Sequence, residues 1–146
     1  MNRTINENGL ALLKSFENCK LRAYRDSGGV LTIGWGHTLN VHPTDVITQK
    51  RADELFFQDL SQTEAGVQRL CCGVALNSNQ YSALVVFSYN IGIGSFAKST
   101  LLRKVKANPT DSTIKEEFES WCYCKGKISE GLVRRRKKEA QLYFTK

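Results

Sequence analysis

Three side chains that could do chemistry stand close together near the amino terminus. Glu17, Asp26 and Thr32 lie in the stretch FENCKLRAYRDSGGVLTIGWGH, with eight residues between the first two and five between the last two. Cleaving a glycosidic bond takes one carboxylic acid to protonate the leaving oxygen and a second, ionised carboxylate on the other side of the sugar ring. Glu17 and Asp26 could supply that pair. A hydroxyl beside the attacking water fixes its line of approach, and Thr32 is suited to the task. To act as the acid, Glu17 must hold a proton, which calls for a desolvated or otherwise acid-favouring site, while Asp26 among polar turn groups can stay ionised. The three residues also have an ordinary reading: Asp caps turns, Thr is at home in strands, and carboxylates are mostly solvated surface groups.

The elements that must hold these side chains can be read from the surrounding pattern. Leu10, Leu13 and Phe16 recur at helical spacing, which puts Glu17 at the end of a short helix. Asp26, Ser27, Gly28 and Gly29 form a turn cluster, and Val30 to Ile33 read as a hairpin strand carrying Thr32. Residues 40–48 are a polar connector in which Asp45 or Thr48 can cap the next helix. Ala52, Leu55, Phe56 and Leu60 then give an apolar stripe running on to Val67 and Leu70. Gly73, Asn77 and Ser78 break it. Tyr81 to Tyr89 is almost wholly apolar and is expected to be a central buried helix; a strand at LVVF would find no sheet partner in the flanking elements. Asn90, Gly92 and Gly94 end that helix, Ser99 and Thr100 start the next, and Asn108 to Thr110 form a loop. Ile114, Phe118 and Trp121 mark a further amphipathic helix, and Gly126 and Gly131 bracket a loop before the last one.

The segment from Phe16 to Thr38 resembles the active-site signature of the phage-type lysozymes (endolysins, glycoside hydrolase family 24), whose catalytic Glu, Asp and Thr have this spacing. Further matches run the length of the chain: ADELFFQDL, LNSNQYSALVVFSYNIGIGSFAKSTLLR and LVRRRKKEAQLYF. The resemblance implies an α+β, predominantly α-helical, lysozyme-like fold: a small β-hairpin lobe at about 18–50, a larger helical lobe from about 1–17 and 70–146, and a connecting helix at about 50–72. It implies hydrolysis of the β-1,4 bond between N-acetylmuramic acid and N-acetylglucosamine, by inversion, with Glu17 as donor and Asp26 as base. It also points to Gly36 and Thr38 at the hairpin end, and Tyr89, Asn90 and Ser99 across the cleft, as substrate contacts. Tyr89 could equally be lobe core and Ser99 a helix cap. One arginine, Arg134 or Arg135, is expected near Glu17 by the same resemblance.

Charge and composition bound the rest. With 21 Lys and Arg against 14 Asp and Glu, the net charge is +7, concentrated in the run Arg134 to Lys138. A basic enzyme would be drawn to anionic wall polymers, more weakly as salt rises. A nucleic-acid-binding module using that run is the rival reading, and a membrane-disrupting amphipathic tail is a second. Leu132, Val133, Ala140, Leu142, Tyr143 and Phe144 instead suggest that the run is the solvated face of a packed helix. The polar amino terminus and the lack of a long apolar run predict no secretion signal and no transmembrane segment. A monomer is therefore expected in the host cytoplasm before lysis, acting on the periplasmic wall once a holin has permeabilised the membrane. The five cysteines (Cys19, Cys71, Cys72, Cys122, Cys124) have no zinc or redox spacing and read by default as buried free thiols, with Cys19 expected to be a small half-buried residue and a redox role for it the alternative. His37 is expected to tie the hairpin to the core and His42 to be exposed; no metal or cofactor is expected.

Overall fold

The computed structural model describes residues 3–146. The chain runs α1 (Glu7–Phe16), β1 (Lys20–Arg25), β2 (Leu31–Gly34), α2 (Gln49–Leu70), α3 (Ser78–Ile91), α4 (Ile93–Lys98), α5 (Thr100–Ala107), α6 (Ile114–Glu119), β3 (Tyr123–Cys124), β4 (Lys127–Ile128) and α7 (Glu130–Tyr143). It is an α+β molecule, mainly helical, with the hairpin β1–β2 at one end of the long helix α2.

Helix α3 is the centre of the helical end, packed against α1, α2, α4 and α7. Its start is fixed by a reciprocal pair: Asn77 accepts from the Gln80 backbone N–H at 2.7 Å while the Gln80 side chain accepts from the Asn77 N–H at 2.8 Å. Every residue from Tyr81 to Ser88 is then buried, which is possible only because helices cover it all round. Helix α1 crosses it closely: a Cβ on Gly9 would come within 2.7 Å of Ser82, so only glycine lets the two backbones approach this far. Leu13 follows one turn later and enters the same core. Phe87 meets Phe118 and Trp121 edge-on at 5.3 and 5.9 Å, joining α3 to α6 and the segment after it.

The hairpin is antiparallel, with Tyr24 opposite Thr32 and Arg25 opposite Leu31, and an irregularity between Lys20 and Tyr24. It rests on the first turns of α2. Thr48 caps that helix by accepting from the Arg51 N–H at 3.1 Å, and a Cβ on Gly34 would touch Ala52 at 3.5 Å. His37 fastens the other side, its Nδ1 at 2.8 Å from Asp59 on α2 and its Nε2 at 2.8 Å from the Leu39 carbonyl. Thus the structural role expected of His37 is seen, and His42 is exposed.

Several sequence readings need correcting. Gly131 does not bound a loop; Ser129 caps α7 and Gly131 lies inside its first turn. The stretch before it is a second small hairpin, β3–β4, turned through Lys125 (φ 52) and Gly126 (φ 78), a left-handed pair that matches a tight two-residue turn. Trp121 falls just past α6 rather than in it. Of the five free cysteines only Cys71 is buried; Cys72 is exposed and Cys122 and Cys124 are half-buried against the default of burial, while Cys19 is half-buried as expected. The basic run is not a solvated face throughout: Arg135 and Arg136 are 7% and 1% exposed.

Candidate active site

Glu17 stands where α1 stops. Its backbone turns from helical to extended as the C-cap residue, which points the side chain out of the helix end and into a cleft between the hairpin and the helical end. One carboxylate oxygen accepts from Arg135 Nη1 at 3.1 Å, across 118 residues of chain. Gly36 approaches the other: a Cβ there would lie 2.8 Å from Glu17 Oε2, and its φ of +86 suits glycine. The Glu17 side chain is only 16% exposed.

Arg135 is itself held. It stacks over the Phe16 ring at 4.6 Å, and its Nε donates to Glu139 Oε2 at 3.2 Å. Arg136 donates from Nη1 to the second Glu139 oxygen at 2.7 Å, from Nε to the Trp121 carbonyl at 2.9 Å, and from Nη2 to Asn90 Oδ1. Glu139 is fully buried and bridges the two guanidiniums. Burial pushes the Glu139 carboxyl up and Arg136 down, opposed in each case by the partner charge.

Asp26 is placed by its own turn. Oδ1 accepts from the Gly28 and Val30 backbone N–H groups, each at 2.9 Å, and the Asp26 N–H donates to the Val30 carbonyl at 3.0 Å. Both of these side-chain bonds fall on one oxygen, so the turn does not occupy Oδ2, and the exposed residue lines the cleft. Thr32, 3% exposed on β2, donates to the Val30 carbonyl at 2.9 Å, so its oxygen keeps lone pairs for an incoming proton.

Glu17, Asp26, Thr32, Gly36, Thr38, Tyr89 and Asn90 all line one cleft of about 400 Å³, with Arg135. Ser99 does not reach it. Its hydroxyl donates to the Phe96 carbonyl at 2.7 Å and accepts from the Leu102 N–H at 3.1 Å, a buried cap for α5. Tyr89 serves both as wall and as brace, donating from its phenol to the Trp35 carbonyl at 2.7 Å. Burial first, then the charges of Asp59 and Glu17, push that phenol far up. The sequence reading passed over Tyr24, which lines the cleft opposite Thr32 in register; its phenol is raised by burial and then by the charges of Glu17 and Asp26, as expected of a group near both. The signal was available in strand alternation, since Tyr24 is two residues before Asp26 and shares its face. A second cavity of about 470 Å³ adjoins the first through shared walls at Gly36, Thr38, Tyr89 and Gly92.

The cleft therefore brings two carboxyls, a hydroxyl and a guanidinium together between the hairpin and the helical end, and the second cavity adjoins it. The family model described as phage lysozyme matches residues 14–139. The chain is 37% identical over 146 residues to the endolysin of Salmonella phage P22, covering 97% of this chain and 98% of that one. It is 37% identical over 144 residues to the endolysin of Bacillus phage B103, covering 97% of this chain and 54% of the relative, so it spans about half that protein's length. Among solved structures, the muramidase domain of SpmX from Asticaccaulis excentricus superposes with a TM-score of 0.83 at 33% identity, covering 99% of this chain and 100% of that one.

Proposed function

The chain belongs to the phage lysozyme family, and on that premise we propose that it is an endolysin that hydrolyses the β-1,4 bond between N-acetylmuramic acid and N-acetylglucosamine in peptidoglycan, with inversion. The observation that carries the reading is that Glu17, Asp26 and Thr32 line the same cleft although they come from a helix end, a turn and a strand.

Each residue has one task. Glu17 gives its proton to the bridging oxygen as the bond from that oxygen to the anomeric carbon breaks. A water attacks the anomeric carbon from the opposite face, and its released proton passes to Asp26 Oδ2. Thr32 accepts a hydrogen bond from that water and holds its oxygen on line. Gly36 and Arg135 keep the Glu17 carboxyl in place, while Thr38, Tyr89 and Asn90 contact the sugar chain. Atoms balance: the water's hydroxyl ends on the anomeric carbon, the Glu17 proton on the leaving oxygen, and the proton left on Asp26 is exchanged through solvent for one on Glu17 before the next turnover, so one water is consumed per bond. A hairpin lobe at about 18–50 and a helical lobe joined by the helix at about 50–72 form the two sides of the cleft.

In this reading the protein is a monomer that gathers in the host cytoplasm and meets the wall after a holin opens the membrane. Among the described residues no helix is long and apolar enough to cross a membrane. The nucleic-acid reading is disfavoured because two of the arginines it needs are spent inside the protein, on Glu17, Glu139 and Asn90. The test is clearing of purified peptidoglycan by the wild type and Glu17→Gln, with mass analysis of the released sugars. The reading expects clearing by the wild type alone and reducing muramic acid ends. Anhydro ends would make the enzyme a lytic transglycosylase, and no clearing by either protein would return the chain to a binding role.

A further inference from the structure

Glu17 must carry a proton to act as the acid, yet the side chain against it is an arginine, the group best suited to holding a carboxylate ionised. A guanidinium and a carboxylate that are free to settle form two parallel N–H···O bonds. Here they form one. Arg135 Nη1 reaches Glu17 Oε1 at 3.1 Å, while Arg135 Nη2 is buried with no partner within the protein. Glu17 Oε2, on the side of Gly36, accepts no hydrogen bond among the described residues. A donor and an acceptor that could complete the pair stay apart, although they belong to two groups already in contact.

A buried donor left without a partner costs stability, so something must hold the guanidinium away from its better arrangement. Two restraints are present. Glu139, fully buried one turn further along α7, takes Arg135 Nε at 3.2 Å, and the Phe16 ring lies against the guanidinium at 4.6 Å. Glu139 is not free to follow if Arg135 turns toward Glu17. Its other oxygen accepts from Arg136 at 2.7 Å, and Arg136 is fixed in turn by the Trp121 carbonyl and Asn90.

We propose that Glu139 is a positioning residue for the acid: by holding Arg135 through Nε, it limits the guanidinium to a single bond with Glu17 Oε1 and keeps Oε2 free to carry the proton that passes to the bridging oxygen. This rests on the glycan-cleaving function proposed above. The titratable and charged groups around Glu17 are Arg135 from α7, Tyr24 from β1, Asp26 from the turn after it and Tyr89 from α3. Both tyrosines are pushed up, first by burial, and stay neutral where the enzyme works. Around Glu139 stand Arg135 and Arg136 of its own helix, with Cys122 from the segment after α6 near Arg136.

The test measures kcat and KM on soluble peptidoglycan fragments across pH for the wild type, Glu139→Gln and Phe16→Leu, at a temperature where each is folded. Glutamine keeps an acceptor for Nε and removes the charge; leucine keeps apolar bulk and removes the ring face. Either change lets the guanidinium grip both oxygens of Glu17. The alkaline limb of kcat, where the acid gives up its proton, is expected to move down by about one pH unit in Glu139→Gln, the worth of one added hydrogen bond to a charged group. It should move the same way by less in Phe16→Leu, with KM and the acid limb unchanged in both. Should Glu139→Gln not fold, Phe16→Leu decides alone. Glu139→Gln is also made beside Arg135→Lys, whose ammonium cannot form the paired grip, and there it is expected to move the limb by less than it does beside arginine. An alkaline limb unmoved in the folded variants, or an equal shift beside arginine and lysine, would overturn the proposal while leaving the lysozyme reading intact. Failure of the wild type to cut the fragments would overturn both.

Discussion

The two walls of the groove hold their carboxyls in opposite ways. Asp26 is fixed by backbone N–H groups two and four residues on, in an exposed turn. Glu17 is fixed by an arginine 118 residues away, which is steadied by a fully buried carboxylate that also anchors a second arginine and, through it, Asn90. The first arrangement is local and open to water. The second is non-local and dry, so its partners are energetically tied to the fold. Position of the base should therefore be separable from stability, and position of the acid should not.

The sharpest separation is expected at Asp26→Asn. The amide oxygen can accept the same two N–H bonds, so the turn survives, while the base is lost. Activity on peptidoglycan should fall by about 10²–10⁴-fold, with a urea midpoint unchanged from wild type. A clear drop in the midpoint would mean that the turn depends on the ionised carboxylate and that the two walls are less different than their geometry implies.

The converse holds on the other wall. Glu139→Ala leaves two buried guanidiniums facing each other without their shared counter-charge, and removing one partner of a buried ionic network costs about 3–5 kcal/mol. Urea unfolding should show that loss together with reduced clearing at temperatures where the variant is still folded. Loss of activity without loss of stability would break the comparison.

The same contrast explains what could be read from the sequence. The Asp26 turn, the strand bearing Thr32 and the helix ending at Phe16 are local patterns of turn residues, β-branched residues and apolar spacing, and they lie where those patterns put them. The Tyr81 helix was legible because nearly every residue in it is apolar. Arg135 stands beside Glu17 as the resemblance led one to expect, but the burial of Arg136 went unread because charge counts as surface unless a buried partner is known, and Glu139, three residues from Arg136 and four from Arg135, looked like one more polar position on a charged helix. The β3–β4 hairpin went unseen because its strands are two residues each and its turn is Lys125-Gly126, with no β-branched run to announce it. Ser99 was assigned to the groove by resemblance, yet its position before Thr100 already allowed a cap.

Gly36 is where the two walls meet, and its replacement tests how tightly. A methyl group there would lie 2.8 Å from Glu17 Oε2 and 3.2 Å from its Cδ, in a backbone conformation with φ +86 that alanine tolerates poorly. The backbone term alone is about 1–2 kcal/mol, and the carboxyl must move by tenths of an ångström or more. Gly36→Ala should lose about tenfold in clearing and about 1–2 kcal/mol in urea unfolding. Retained activity would show that the Glu17 wall can give way, contrary to its dry, bridged construction.

The smallest effect concerns pH and belongs to the helical end alone. Cys71, buried at the end of α2, has its thiol pushed up from 9.0 to about 11, chiefly by burial, and burial first and then Glu64 push Tyr81 up from 10.0 to about 12. For an acid with a raised folded pKa, the native state keeps its proton after the unfolded state has lost it. Stability from this source is complete below about pH 9 and is lost as pH rises through about 11. At pH 10.5 the Cys71 share should be about 1–2 kcal/mol. Urea midpoints at pH 8 and 10.5 for the wild type and Cys71→Ala give the check: alanine lowers stability at both values by leaving a small void, but the fall between them should be smaller by that share. An equal fall in both proteins would mean that the thiol reaches water before the fold opens, and that the dry interior behind the acid wall does not extend to the end of α2.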